Sequence, residues 1–223
     1  SGTSTEFAGD AFLWALDTQP LLPAAAFHLE VDSNGDLILT DLVGGDDQVS
    51  IAFDAGTSQL VITNTVALSA GSGGGSVDTP TARAHIGTIA NGQIIVNTLE
   101  GDDQLELDHT LITALAAHNI TLTYNGGPQA TATGDSLTVT GGTFTTFQYN
   151  VTGAGAGSLA FNGYTGVSFT GLEPVMVPSM AGTVIIDVDP TGTVAGPRTV
   201  TVSDAGGGNL LIDLDGTLED LTI

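Results

Sequence analysis

The chain has no cysteine, no lysine and, across 223 residues, only two arginines, Arg83 and Arg198. The missing thiols exclude a disulfide framework and any thiolate metal site. The missing cations exclude a nucleic-acid partner, because displacing the counterions condensed on a polyphosphate takes clustered Lys and Arg. An anionic membrane surface is excluded for the same reason. No apolar run reaches the roughly 18 residues a spanning helix needs, so no membrane insertion is expected. No basic stretch followed by an apolar one opens the chain, so no signal peptide is visible. The opening SGTSTEF has the composition of a tag remnant, and the closing LEDLTI stops inside an apolar alternation. Both point to a segment of something longer.

Acid is in excess. Asp and Glu number 25, and the formal net charge is −23. Such a surface takes cations, Ca²⁺ foremost, or neutral polymers such as a neutral polysaccharide. High salt would relieve its self-repulsion. The charge does not mark a disordered tail, because 41% of the residues are hydrophobic and fall in short alternating runs.

Those runs are of strand length, from Leu37 to Leu39 and Val49 to Phe53 through to Val184 to Val188 and Leu210 to Leu214. Apolar residues alternate with Thr, Ser, Asp and Asn, so one set of side chains faces inward and the other faces water. Many short strands between Gly-rich turns predict an all-β protein. Helix is expected in two places only. One is 8–17, which carries Trp14 and ends before Pro20 and Pro23; the other is 110–118. Residues 1–27 read as a tag remnant and N-terminal capping segment. Residues 28–223 read as one elongated domain, with the Gly/Ser-rich tract 69–81 as an inserted loop.

Two stretches repeat. GGDDQVSI occupies 44–51 and EGDDQLEL occupies 100–107. Their flanks repeat too: 34–54 and 91–108 both run Asn-Gly, strand, turn, Gly-Asp-Asp-Gln, strand, Asp. A third, degraded copy is read at 162–177, with Pro174 and Val175 in place of Gly-Asp-Asp. Repeated supersecondary units predict stacking around one continuous core. The expected fold is therefore a right-handed parallel β-helix, a β-solenoid. The alternative is one or more antiparallel β-sandwiches, because Asn-Gly between alternating runs is also a hairpin signal.

The paired aspartates admit three chemistries. As corner residues they need no ligand, since Asp side chains accept bonds from nearby backbone N–H groups. As metal ligands they would serve Ca²⁺, which wants six to eight oxygens. The candidates are Asp46, Asp47, Asp102 and Asp103, with Asp41 and Asp135 beside them. As a catalytic pair they would resemble the hydrolytic β-helix enzymes, but the Gly-His-Gly and Arg-x-Lys segments of those enzymes are absent. No catalytic residues are assigned. His28, His85, His109 and His118 are scattered, and no nucleophile elbow or phosphate loop occurs. Arg83 and Arg198 read as surface ion-pair partners.

Residues 124–175 carry Tyr-Asn-Gly-Gly, Gly-Asp-Ser-Leu-x-Val-x-Gly-Gly-Thr, Gly-Ser-Leu and Thr-Gly-Leu-Glu-Pro. This stretch, with TVTVSDAGGGNLLIDLDG at 199–216, resembles a repeat module of very large bacterial cell-surface proteins. The resemblance covers about half the chain. It implies an extracellular, β-helical passenger region at the cell surface, with adhesive or scaffold roles and other surface proteins as partners, and it carries over no catalytic residue. A carbohydrate-binding or polysaccharide-degrading β-helix is the alternative, and it predicts an exposed groove lined with aromatics. Open solenoid ends predict capping or end-to-end self-association.

Overall fold

The computed structural model describes residues 27–71, 76–78, 80–89, 92–131, 134–172, 175–177, 180–188, 200–206, 209–214 and 221–222. The expected helix at 8–17, Trp14 and Arg198 lie outside these residues.

The protein is all-β, with one α-helix among the described residues. The strands in chain order begin with β1 (Phe27–Val31), β2 (Leu37–Asp41), β3 (Gln48–Asp54), β4 (Gln59–Asn64), β5 (Leu68–Ala70), β6 (Ser76–Asp78) and β7 (Thr81–His85). Next come β8 (Gln93–Asn97) and β9 (Gln104–Asp108), then α1 (His109–His118), β10 (Thr121–Asn125) and β11 (Ser136–Thr140). The last are β12 (Thr143–Gly153), β13 (Ala156–Phe161), β14 (Tyr164–Thr170), β15 (Val175–Met176), β16 (Met180–Asp187), β17 (Val200–Gly206), β18 (Asn209–Leu214) and β19 (Leu221–Thr222). Within the tract 69–81, residues 69–70 belong to β5 and 76–78 form β6, which pair with β1 and β7 respectively.

Two mixed sheets result. The first runs β16-β12-β13-β14-β10-β8-β2-β1-β5, and the second β17-β18-β19-β15-β11-β9-β3-β4-β7-β6. Their middles are parallel. In the first sheet β2, β8, β10 and β14 lie side by side in the same direction. In the second, β3, β9, β11, β15 and β19 do the same. The chain therefore visits the sheets alternately, β2 then β3, β8 then β9, β10 then β11, β14 then β15. Hairpins flank this parallel middle, and there the pairing is antiparallel: β1 with β2, β3 with β4, β12 with β13, β13 with β14, β17 with β18. Parallel and antiparallel pairing thus occur within each sheet.

The strand alternation translates directly into burial. Leu37, Leu39, Ile94, Val96, Leu122 and Tyr124 from the first sheet meet Val49, Ile51, Leu105, Leu107, Leu137 and Val139 from the second in one core. Helix α1 starts where Asp108 caps it: its Oδ1 accepts the Thr110 N–H at 2.8 Å. It stops at Asn119, which adopts the left-handed conformation at φ 52°. Leu111, Ile112, Ala114 and Leu115 turn inward, and the helix packs against β3, β9 and β14.

The rings at the far end of the core also point inward. Phe144, Phe147, Tyr149, Phe161 and Phe169 are all buried. Phe161 sits between Phe144 and Phe147, with ring centroids 4.7 and 5.4 Å away. Phe161→Ala should therefore cost about 3–5 kcal/mol, the range for emptying a buried aromatic site. Urea unfolding would measure it as a lowered midpoint at unchanged slope.

The register revises the repeat. The copies at 34–54 and 91–108 do stack, Leu37 on Ile94 and Gln48 on Gln104. Their Asn-Gly pairs differ in role. Asn34-Gly35 turns the antiparallel β1–β2 hairpin, whereas Gly92 precedes β8, which is in the other sheet from β7. The unit stacked next is 121–140, because Ile94 pairs with Leu122 and Leu105 with Leu137. The stretch at 162–177 comes after it. Val175 pairs with Leu137 there, so it is a core strand residue and does not stand in the place of an aspartate.

Candidate functional site: the aspartate corners

The segments 42–47, 98–103 and 126–135 join the first sheet to the second in three successive units. They sit directly on one another. Gly45 N–H bonds the Glu100 carbonyl at 2.7 Å, and Gly101 N–H bonds the Pro128 carbonyl at 3.3 Å. Gln104 and Ser136 donate to the carbonyls of Asp47 and Asp103 at 2.8 and 2.7 Å. Glycine permits this closeness. A Cβ on Gly101 would lie 2.5 Å from the Gly45 carbonyl oxygen, and one on Gly127 would fall inside the Leu99 carbonyl group.

The two aspartates of each pair part company. The second of each pair, Asp47 and Asp103, is buried, as is Asp135 in the third unit, with exposures of 3%, 1% and 0%. They form a row. Asp103 Oδ1 accepts the Asp47 N–H at 2.8 Å, and Asp135 Oδ1 accepts the Asp103 N–H at 2.8 Å. Asp103 and Asp135 thus each satisfy a buried donor of the unit before them, a donor that would be expensive to leave unpaired. Asn64 of β4 reaches the end of the row, its Nδ2 donating to Asp47 Oδ1 at 3.4 Å. The first of each pair lies farther out, Asp46 exposed and Asp102 half-buried, and its bonds run the opposite way along the stack, each carboxylate accepting from the unit after it. Asp46 Oδ1 accepts the Asp102 N–H at 3.0 Å, and Asp102 accepts the N–H groups of Ala130 and Thr131 and the Thr131 hydroxyl. Asp41 is buried and closes its own turn, accepting the N–H groups of Val43 and Gly44 at 3.1 and 2.9 Å.

Environment drives the two rows apart. Burial, and then the charges of Asp41 and Asp103, push the Asp47 carboxyl up to about 6. Burial likewise raises Asp135 to about 6, with the Asp103 charge adding to it, and burial raises Asp103 itself. The outer Asp102 is held below its ordinary value by the Thr131 hydroxyl and N–H. Tyr124, buried beside the row, is pushed far up by burial and then by Asp135. Thr98 lies against both the Asp103 carboxyl and the Tyr124 hydroxyl, and the Gly127 N–H against the Asp135 carboxyl.

The residues picked from the sequence are therefore brought together, and their geometry is one of side chain to backbone. Among the described residues no three His, Asp or Glu side chains group to hold a metal ion. The four histidines stay apart: His28 lies 3.8 Å from Glu30 and His109 lies 3.7 Å from Asp108. Arg83 is a surface partner of Asp54 at 3.8 Å. The sequence reading missed a second stack on the first sheet, where Asn125 Nδ2 donates to Asn97 Oδ1 at 2.8 Å and Thr170 donates to Asn125 Oδ1 at 3.2 Å. Its signal was present as the polar residue ending each of β8, β10 and β14.

No protein-family model matches the chain, and neither a curated protein sequence nor a solved structure does.

Proposed function

We propose that the chain is a structural segment, adhesive or scaffolding, of a secreted bacterial surface protein: a β-helical stack that presents an acidic exterior and carries out no catalysis. The observation that carries this reading is the pair of aspartate rows, in which Asp46, Asp102, Asp103 and Asp135 each turn one carboxylate oxygen to a backbone N–H of a neighbouring unit. Carboxylates used in that way hold corners together and are not poised for a substrate. The resemblance of 124–175 to modules of very large surface proteins supports an extracellular place. The parallel middle of both sheets supports the β-helical description, with hairpins as additions at its ends. The carbohydrate reading expects exposed aromatics, and the clustered rings are in the core.

Calcium belongs to this proposal as a stabiliser of the outer face, near Asp46 and Asp102. A thermal melt in chelator, in millimolar Ca²⁺ and in Mg²⁺ at equal ionic strength tests it. The expected result is a higher melting temperature in both ions, from screening of the −23 charge. A rise in Ca²⁺ alone, abolished by Asp46→Asn with Asp102→Asn, would instead make the corners specific calcium sites. Native electrophoresis through gels cast with neutral polysaccharides tests the role. Unretarded migration is expected, and retardation would favour the carbohydrate-binding alternative.

A further inference from the structure

The two ends of the molecule are finished differently. Beyond the stacked pair β2 and β3, both sheets run out in very short strands, β5 and β6, of three residues each. Beyond β14 and β15 they run out in long ones. The first sheet ends on the eight residues of β16 and the second on the seven of β17. Three strands separate each of these edges from the stacked pair, if the edge strand is counted: β13, β12, β16 on one side and β19, β18, β17 on the other. Both open edges therefore lie at the same end and the same level. Among the described residues neither has a neighbour on its outer side.

Natural edges are blunted by shortness, by proline or by lysine. The β5/β6 end is blunted by shortness. The β16 edge has none of these devices: its sequence is MAGTVIID, with its single charge at the last residue. Val184 and Ile185 are 38% and 44% exposed. Their partners Phe147 and Gln148 place Val184 on the inner face and Ile185 on the outer, so apolar surface is open on both sides of one strand.

We propose that this end docks a second copy of the same chain, β16 against β16 and β17 against β17, as a two-fold, antiparallel continuation of both sheets. A two-fold axis normal to the sheets reverses strand direction and stacking direction together, while keeping each sheet on its own side. Only an edge of matching length and level satisfies both strands at once, and a second copy supplies both. In antiparallel pairing, opposed residues share a face. Centring on Val184 then sets Val184 against its own copy and Ile185 against Thr183. Eight residues span about 27 Å at 3.4 Å each, and two sheets with their side chains are about 20 Å thick. The contact is then roughly 500 Å² per partner and about 1,000 Å² in total, at the threshold for a specific interface. A dimer of this acidic chain should be weak at low salt.

Sedimentation velocity from micromolar to submillimolar protein, at low salt and at about 1 M salt where the screening length falls to about 3 Å, tests this. The expected result is a monomer–dimer equilibrium favoured by salt. Hydrogen exchange should slow within 180–187 in the dimer. Val184→Lys with Ile185→Lys should abolish the dimer while leaving the melting temperature of the monomer within a few degrees. A monomer at every concentration in high salt would overturn the proposal. So would a dimer that persists in the double variant, or one whose exchange protection falls elsewhere.

Discussion

Gly127→Ala is expected to lower the melting temperature by about 10 °C or more, a loss above roughly 4 kcal/mol for a domain of this length. The added methyl has nowhere to go. It would fall inside the carbonyl group of Leu99, which is backbone of the neighbouring corner and cannot rotate away. Relief requires the 98–103 and 126–135 corners to separate, and these corners carry the Gly101–Pro128 and Ala130–Gly101 hydrogen bonds. Separation would also unseat Asp102 from the N–H groups of Ala130 and Thr131. Calorimetry would measure the loss. Gly163→Ala is a useful comparison, because no atom lies within 4 Å of its added methyl and only its φ of +87° opposes the change. It should cost about 1 kcal/mol or somewhat more, the usual penalty for forcing a side chain into that region.

The second large effect is an inverted pH dependence. Folding raises the carboxyls of Asp47 and Asp135 from 3.8 to about 6. The folded state therefore binds more protons than the unfolded one between those values, and stability rises as the pH falls through 6 toward 4. Above 6 the full penalty of buried charge is present. A shift of about two units corresponds to about 3 kcal/mol for one such carboxylate. Lowering the pH from 7.5 to 5 should thus raise the melting temperature by roughly 5–10 °C. The lowered carboxyl of Asp102 works in the opposite sense, its contribution being lost only as the pH falls below the ordinary carboxylate range. The optimum should lie between about 4 and 6, against the usual 5 to 8. Asp103→Asn keeps an oxygen for the Asp47 N–H and removes the middle charge. It should raise the melting temperature at pH 7.5 and flatten the slope. A wild-type stability that falls steadily from pH 7.5 to 5 would refute the assignment.

Much of this was legible in the sequence, for identifiable reasons. The alternation of Leu37, Leu39, Val49 and Ile51 states burial directly, because side chains in a strand have period two. The Gly-Asp-Asp corners were legible because both copies keep the same spacing, and stacked aspartates recur at a separation of 56 residues. The third unit escaped for the converse reason. Its aspartate follows at 32 residues and its amide at 28, so insertions of different size on the two sides erase any single period. The parallel register shows what the spacing hides: Asp47, Asp103 and Asp135 each stand two residues before a buried strand residue, Val49, Leu105 and Leu137. The separate fates of the two aspartates in each pair follow from the same phase, Asp47 being in step with Val49 and Asp46 out of step with it.

The stacking of the parallel strands has a mechanical side. Hydrogen bonds between strands run across the strand direction. A force drawing the two ends of the stack apart therefore loads these bonds end-on, one seam at a time. At the seam between β3 and β9 the bond from Asp47 to Asp103 shares that load, and at the seam between β9 and β11 the bond from Asp103 to Asp135 does. On the opposite sheet Asn97 and Asn125 share it between β8 and β10. The weakest seam sets the tensile strength, and it should lie where no side chain joins the two strands.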